Sequence, residues 1–277
     1  MNVAVNTTPH LPGPLWLIGC GNMAGAMLEG WLARGLDPAL ITVVRPSGTQ
    51  AAPNVRTLTT LPEGEVPALV LLGVKPQKLD AVAPALARVL DPATILISIL
   101  AGTELASLRQ RFPTPRTIIR AMPNTPVRLN QGATSLLSDS TDSAARATVE
   151  TLMRSLGAAE WIEDEALFDV ATALAGSGPA FLFRFIDALA KGGEALGLPA
   201  DQAHRLAIAT VQGTASLAAA SPETPHALAE RVASPGGMTR KGLDVLDADA
   251  ALDRLVAGTL AAAVARAREM AADARAG

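Results

Sequence analysis

The chain has 277 residues, of which 49% are apolar, 18% charged and 3% aromatic, and its net charge is −3. That is enough for one large domain or two ordinary ones with a sizeable core. Neither the charge nor the aromatic content offers the basic footprint or the stacking platforms of a nucleic-acid binder.

Residues 1–13 lack the basic and apolar regions of a signal peptide and read as a disordered tail. No uninterrupted apolar run approaches the roughly 18–20 residues of a membrane span. The single cysteine, Cys20, excludes an intramolecular disulfide framework and suits a reducing compartment, so a cytoplasmic protein without membrane contact is expected. His10, His204 and His226 are too scattered to suggest a zinc site, and no metal is expected.

From Leu15 onward, short β-like runs alternate with helical stretches. Leu15–Gly19 is a first strand, Gly25–Arg34 a helix and Leu40–Val44 a second strand. Ala68–Val74 and Thr94–Ile99 are continuous apolar runs, the pattern of parallel strands covered on both faces. Thr117–Arg120 is another strand, and Gly132–Leu137 and Ala158–Ile162 read as edge strands. Helices are expected over Lys78–Leu90 and Thr103–Arg111. This alternation predicts an α/β Rossmann-type doubly wound sheet over residues 14–163.

After Asp164 the strand signals cease, and residues 164–277 read as an all-α domain. Glu165–Gly197 carries apolar residues at helical spacing, broken by Gly176-Ser-Gly-Pro179. Ala200–Ala220 is a second helix, and Leu252, Leu255, Val256, Leu260, Val264, Ala267 and Met270 stripe a last one. Such an Ala-rich half buries its surface poorly alone, which predicts a homodimer through it.

Gly19-Cys-Gly-Asn-Met-Ala24 lies between the first strand and the first helix and has the form G-x-G-x-x-A. Gly19 allows the tight turn, Gly21 lets the backbone approach a pyrophosphate, and Ala24 permits close helix–strand packing; Asn22 and Met23 complete the loop. The end of the second strand carries Val44-Arg45-Pro46-Ser47 rather than an acidic residue. No carboxylate repels a 2′-phosphate there, while Arg45 and Ser47 suit one, so NADPH is favoured over NADH. Val74, Lys75 and Pro76 follow one strand and Ala121–Pro126 another, at strand ends where a crevice opens; Asn124 offers an amide to orient a ligand.

The chain offers four lysines (Lys75, Lys78, Lys191 and Lys241) and few histidines as a base for an alcohol substrate. A protonated imine relaxes that demand, because hydride can reach its carbon without a dedicated acid beside it.

These motifs, with Arg120-Ala-Met-Pro-Asn-Thr-Pro126, Leu174-Ala-Gly-Ser-Gly-Pro-Ala180, Gly197-Leu-Pro199 and Ser234-Pro-Gly-Gly-Met-Thr239, resemble those of the pyrroline-5-carboxylate reductase family, from about Leu15 to the C-terminus. The resemblance implies NADPH-dependent reduction of 1-pyrroline-5-carboxylate to L-proline, in dimers often gathered into decamers. It implies that 164–277 is a substrate-binding and dimerisation domain. It also implies that the loop bearing Ser234, Gly236, Gly237 and Thr239 receives the substrate carboxylate, and that Thr172 hydrogen-bonds the ring nitrogen.

Ala175 stands where the family usually has serine, and Met238 where Thr or Ala is usual. Those departures keep reduction of another cyclic imine open. A hydroxyacid dehydrogenase lacks its lysine here, and a non-catalytic nucleotide-bound paralogue is opposed by retention of the fingerprint, Asn124, Thr172 and Thr239.

Overall fold

The computed structural model describes residues 9–276. Residues 1–8 of the expected tail lie outside that range, whereas Leu11 packs into the core at 4% exposure. The expected tail is therefore anchored over its last residues by an apolar side chain.

An eight-stranded sheet has the order β3-β2-β1-β4-β5-β6-β7-β8. Its strands are β1 (Leu15–Ile18), β2 (Ile41–Val44), β3 (Arg56–Leu58), β4 (Leu69–Leu72), β5 (Ile95–Ser98), β6 (Thr117–Pro123), β7 (Gly132–Ser138) and β8 (Gly157–Trp161). The first six are parallel, β7 runs antiparallel to β6, and β8 is parallel to β7. This is the doubly wound dinucleotide order with two added strands.

Two expectations change. The edge strands are β3 and β8, so Gly132–Ser138 is interior to the sheet, and β3 was not foreseen. With only three residues, one exposed and two half-buried, Arg56-Thr-Leu58 carries almost no periodic signal.

The alternation within β1 shows why its sequence is uniformly apolar. Leu15 and Leu17 join one core cluster with Trp31, Val149 and Leu152, while Trp16 and Ile18 join a second with Leu86, Leu108 and Phe112. Both faces are covered by helices: α1 (Asn22–Ala33), α2 (Leu79–Ala87), α3 (Leu105–Arg111) and α4 (Ser143–Arg154). The buried Trp31 indole N–H is satisfied by the Leu152 carbonyl at 3.0 Å.

After the sheet follow α5 (Glu165–Ala171), a π turn (Thr172–Gly176), α6 (Gly178–Ala195), α7 (Ala200–Ala220), α8 (Pro225–Val232), α9 (Met238–Asp247), a 3-10 turn (Ala248–Ala250) and α10 (Ala251–Ala276). The chain divides into two compact units. One is Gly178–Ala262; the other comprises the described residues up to Ser177 and those from Ala263. The sequence placed this division at 164, and the difference has a physical cause. Asp164 caps α5 by accepting from the Ala166 N–H, Phe168 on α5 is fully buried in the second core cluster, and Glu165 pairs with Arg120 of β6 at 2.7 Å. The segment 165–177 thus packs with the sheet.

Within Gly178–Ala262, α6 and α7 pack through small residues: a Cβ at Gly193 would stand 3.5 Å from that of Ala203. Leu182, Phe183, Phe185 and Leu189 of α6 and Leu206, Ile208 and Leu217 of α7 are exposed. Although the sequence shows no unbroken apolar run of span length, the helical stretch Glu165–Ala195 has the length and apolar character of one. Its mean hydropathy reaches 1.4 and 11% of that window is buried.

Arg120 is 3% exposed, and its guanidinium lies over the Phe168 ring at 4.3 Å and donates to Glu165 at 2.7 Å. Removing the carboxylate strands a buried cation, so Glu165→Ala is expected to destabilise the fold by about 3 kcal/mol. Arg120→Met keeps much of the volume and releases a carboxylate that can still reach water, so its loss is expected to be smaller, on the order of 1–2 kcal/mol. Urea unfolding midpoints of the two variants test that order.

Candidate active site

The strand order reverses direction between β1 and β4, the position at which open α/β sheets bind ligands beyond their carboxyl ends. There the backbones nearly touch. A Cβ on Gly19, whose φ is +84°, would stand 2.9 Å from the Gly73 carbonyl oxygen, and one on Gly73 would stand 2.8 Å from the Gly19 oxygen and 2.9 Å from Ala24 Cβ. The Gly19 N–H donates to Val44 and the Gly73 N–H to Ile18, at 2.8 and 2.9 Å, so both turns are locked to the sheet.

Gly21 differs from its neighbours. Its φ of −83° and ψ of −163° suit any residue, and a Cβ there would meet no atom of the protein within 4 Å. It is the N-cap of α1, and no side chain caps that helix. The first-turn N–H groups of α1 are thus available to an anion, with the positive end of the helix dipole behind them. Asn22 is exposed beside it, Met23 is half-buried against the core, and Ala24 is buried. Burial pushes the Cys20 thiol up from its ordinary pKa, with Arg45 opposing.

Adjacent strand ends supply the rest. Arg45, Pro46, Ser47 and Gly48 form a turn after β2, closed by a Gly48 N–H to Arg45 carbonyl bond of 3.1 Å; Ser47 is exposed, and the Arg45 guanidinium makes no salt bridge among the described residues. Val74 is half-buried after β4, and exposed Lys75 precedes a 3-10 turn opened by Pro76. The connection after β5, Ile99–Thr103, stands at the same edge on the far side of β4 from β1 and was not singled out from sequence. Its signal is Gly102, at φ +71° and packed against Met270. A cavity of about 390 Å³ opens farther along this edge between Pro76, Leu79, Thr103, Ser107, Arg111 and Met270, and does not include the Gly21 turn.

Asn124 is placed otherwise than as a ligand-facing amide. It is 7% exposed; its Nδ2 donates to the Ala175 carbonyl at 2.9 Å, and its Oδ1 accepts from the Ala133 N–H at 2.8 Å. Thr172 opens the π turn, and its Oγ1 is buried without a hydrogen-bond partner among the described residues.

The loop Ser234–Thr239 belongs to the unit Gly178–Ala262 and is described by itself. Gly236 has φ +72°, the Gly237 N–H donates to the Ser234 carbonyl at 3.0 Å, and Gly237 is the N-cap of α9 without a side-chain cap. Ser234, Met238 and Thr239 are exposed. Arg240, directly after the loop, is held by both oxygens of Glu230 at 2.7 Å, while the start of α9 carries no side-chain cap. Glu223 is paired with Arg231.

The fold order, the two interlocked glycine turns and the uncapped α1 define a Rossmann-type domain of the dinucleotide-binding class. Two family models match: pyrroline-5-carboxylate reductase dimerisation over residues 165–270, and NADP oxidoreductase, coenzyme F420-dependent, over 15–102. The chain is 38% identical to the pyrroline-5-carboxylate reductase of Pseudomonas aeruginosa, over 92% of this chain and 95% of that one. It is 36% identical to that of Pisum sativum, again over 92% and 95%. A solved pyrroline-5-carboxylate reductase from Coxiella burnetii superposes with a TM-score of 0.86 at 32% identity, covering 94% of this chain and 99% of that one. The chain belongs to the pyrroline-5-carboxylate reductase family.

Because a methyl at Gly21 meets only what binds there, Gly21→Ala separates folding from binding. Its stability is expected to stay within about 0.5 kcal/mol of the parent, while NADPH affinity falls at least about tenfold. Thermal melts with and without nucleotide read both quantities.

Proposed function

We propose that this chain reduces 1-pyrroline-5-carboxylate to L-proline, the last step of proline synthesis, with NADPH preferred over NADH. The observation that carries this reading is the match to curated reductases along both halves of the chain. The site residues fit the chemistry it requires.

Gly19, Gly21 and Ala24 admit the pyrophosphate to the start of α1, with Asn22 and Met23 at the loop and Val74, Lys75 and Pro76 forming the neighbouring wall. Arg45 and Ser47 receive the 2′-phosphate. Their support is a guanidinium in no salt bridge among the described residues and the exposed hydroxyl at the end of β2, where the sequence Val44-Arg-Pro-Ser47 carries no carboxylate. The bound cofactor supplies the hydride that reduces the imine carbon.

The substrate carboxylate is received by backbone N–H groups around Gly236, Gly237 and Thr239, next to Ser234. An uncapped helix start preceded by a left-handed glycine is a concavity suited to an anion. Thr172 bonds the ring nitrogen of the imino acid. A buried hydroxyl without a partner is unfavourable, and a ligand atom that meets it recovers the missing bond.

The exposed apolar faces of α6 and α7 are covered by a second copy of the chain, in keeping with the dimerisation model, and dimers assemble further, into a decamer. The protein works in the cytoplasm, where its one cysteine stays reduced.

Purified protein mixed with pyrroline-5-carboxylate is expected to consume NADPH and form proline, more slowly with NADH; no consumption of either by folded, nucleotide-binding protein overturns the reading. Arg45→Ala is expected to lower the NADPH over NADH preference about tenfold, roughly the 1.4 kcal/mol of one charge-assisted contact, without changing turnover with NADH. Parallel kcat/KM measurements with the two cofactors check it.

A further inference from the structure

Pro179 creates a local deficit. In an α-helix the carbonyl of residue 175 would accept from the N–H of residue 179, and proline has none. The Ala175 carbonyl is met instead by the side chain of Asn124, whose Nδ2 donates to it at 2.9 Å. The other end of the same amide accepts the Ala133 N–H at 2.8 Å, which fixes its orientation. With 7% exposure, Asn124 is turned into the backbone rather than toward a ligand.

The bond lands on the π turn Thr172–Gly176, in which the Ser177 N–H reaches the Thr172 carbonyl at 3.1 Å. Single π turns inside helices recur at functional sites. A threonine in a regular helix commonly donates its hydroxyl to the carbonyl four residues back. Thr172 does not: its Oγ1 is buried without a partner among the described residues. Its hydroxyl is thus not committed to the helix backbone, and a ligand atom that met it would supply the missing bond.

The segment is gripped at both ends by one strand. Arg120, within β6, holds Glu165 and Phe168 at the start of α5, and Asn124, directly after β6, holds Ala175 at the end of the π turn.

We propose that Asn124 is a positioning residue for Thr172. By supplying the donor that Pro179 withholds, it keeps the turn in π geometry and leaves the Thr172 hydroxyl free for the ring nitrogen. This rests on the reading of Thr172 given above. It moves Asn124 from the cofactor wall, where the sequence set it, to the support of the substrate contact.

Asn124→Asp keeps the shape and an acceptor for Ala133 but removes the donor to Ala175. Amide hydrogen exchange across Thr172–Ala180 is expected to quicken about tenfold or more, with exchange in β1 and α1 unchanged. That readout needs no turnover and stands apart from the substrate assignment. In turnover, Asn124→Ala is expected to lower kcat about tenfold while the NADPH dissociation constant stays within about twofold. In a Thr172→Val background the same substitution should change kcat by less than about twofold, because its effect passes through that hydroxyl.

Weakened NADPH binding with exchange unchanged would make Asn124 a cofactor ligand and overturn the proposal. Losses that multiply in the double variant would overturn it as well. A parent enzyme that binds NADPH but leaves pyrroline-5-carboxylate untouched contradicts the function proposed above, and the exchange measurement then decides the role of Asn124 in the π turn. Should Asn124→Ala fold poorly, Asn124→Asp carries both readouts.

Discussion

Everything at the nucleotide end depends on how closely two strands approach at their carboxyl ends. Gly19 and Gly73 face each other with no room for a Cβ on either, and Ala24 fills what remains. Any larger residue would part β1 from β4 and swing the start of α1 away from the sheet. That contact sets where α1 begins. The missing side-chain cap at Gly21 then leaves donors for a phosphate. Gly21, only two residues from Gly19, is by contrast in open space, where a Cβ would meet no atom within 4 Å.

The second half of the chain obeys a different constraint. Its helices pack on one another through small residues yet leave a broad apolar surface uncovered, so the unit Gly178–Ala262 is incomplete as a monomer. The same excess of apolar surface gives Glu165–Ala195 the composition of a membrane span. A helix buried between protein subunits and one buried in lipid satisfy the same compositional test. The match to a dimerisation family over residues 165–270 accounts for that surface with a protein partner.

Much of this was legible in the sequence, and the failures have identifiable causes. Strands buried on both faces appear as unbroken apolar runs, so β1, β4 and β5 stood out, and Gly19, Gly21 and Ala24 followed from their place between a strand and a helix. The strand β3 was invisible because three half-exposed residues carry no period. The boundary at 164 agrees with the start of the dimerisation family match at 165, whereas the compact units part at 178, because periodicity reports element type and not packing partner. Helix α5 looks like the start of a helical domain, while Phe168 and the Arg120–Glu165 pair fasten it to the sheet.

Asn124 was recognised as important from its position after β6, but the direction of its amide depends on contacts to residues 133 and 175 that no local pattern contains. Pro179 was the available clue, since a proline four residues after a helical carbonyl announces an acceptor in need of another donor.

The central claim is that this chain directs a hydride from NADPH to the imine carbon of a five-membered imino acid. The most direct measurement is turnover of pyrroline-5-carboxylate with NADPH carrying deuterium at the transferable position, followed by mass spectrometry of the product. The account predicts proline with a single deuterium on the former imine carbon, matched one to one with cofactor oxidised. Cofactor oxidation without labelled proline, or proline that takes its new hydrogen from solvent, would contradict it.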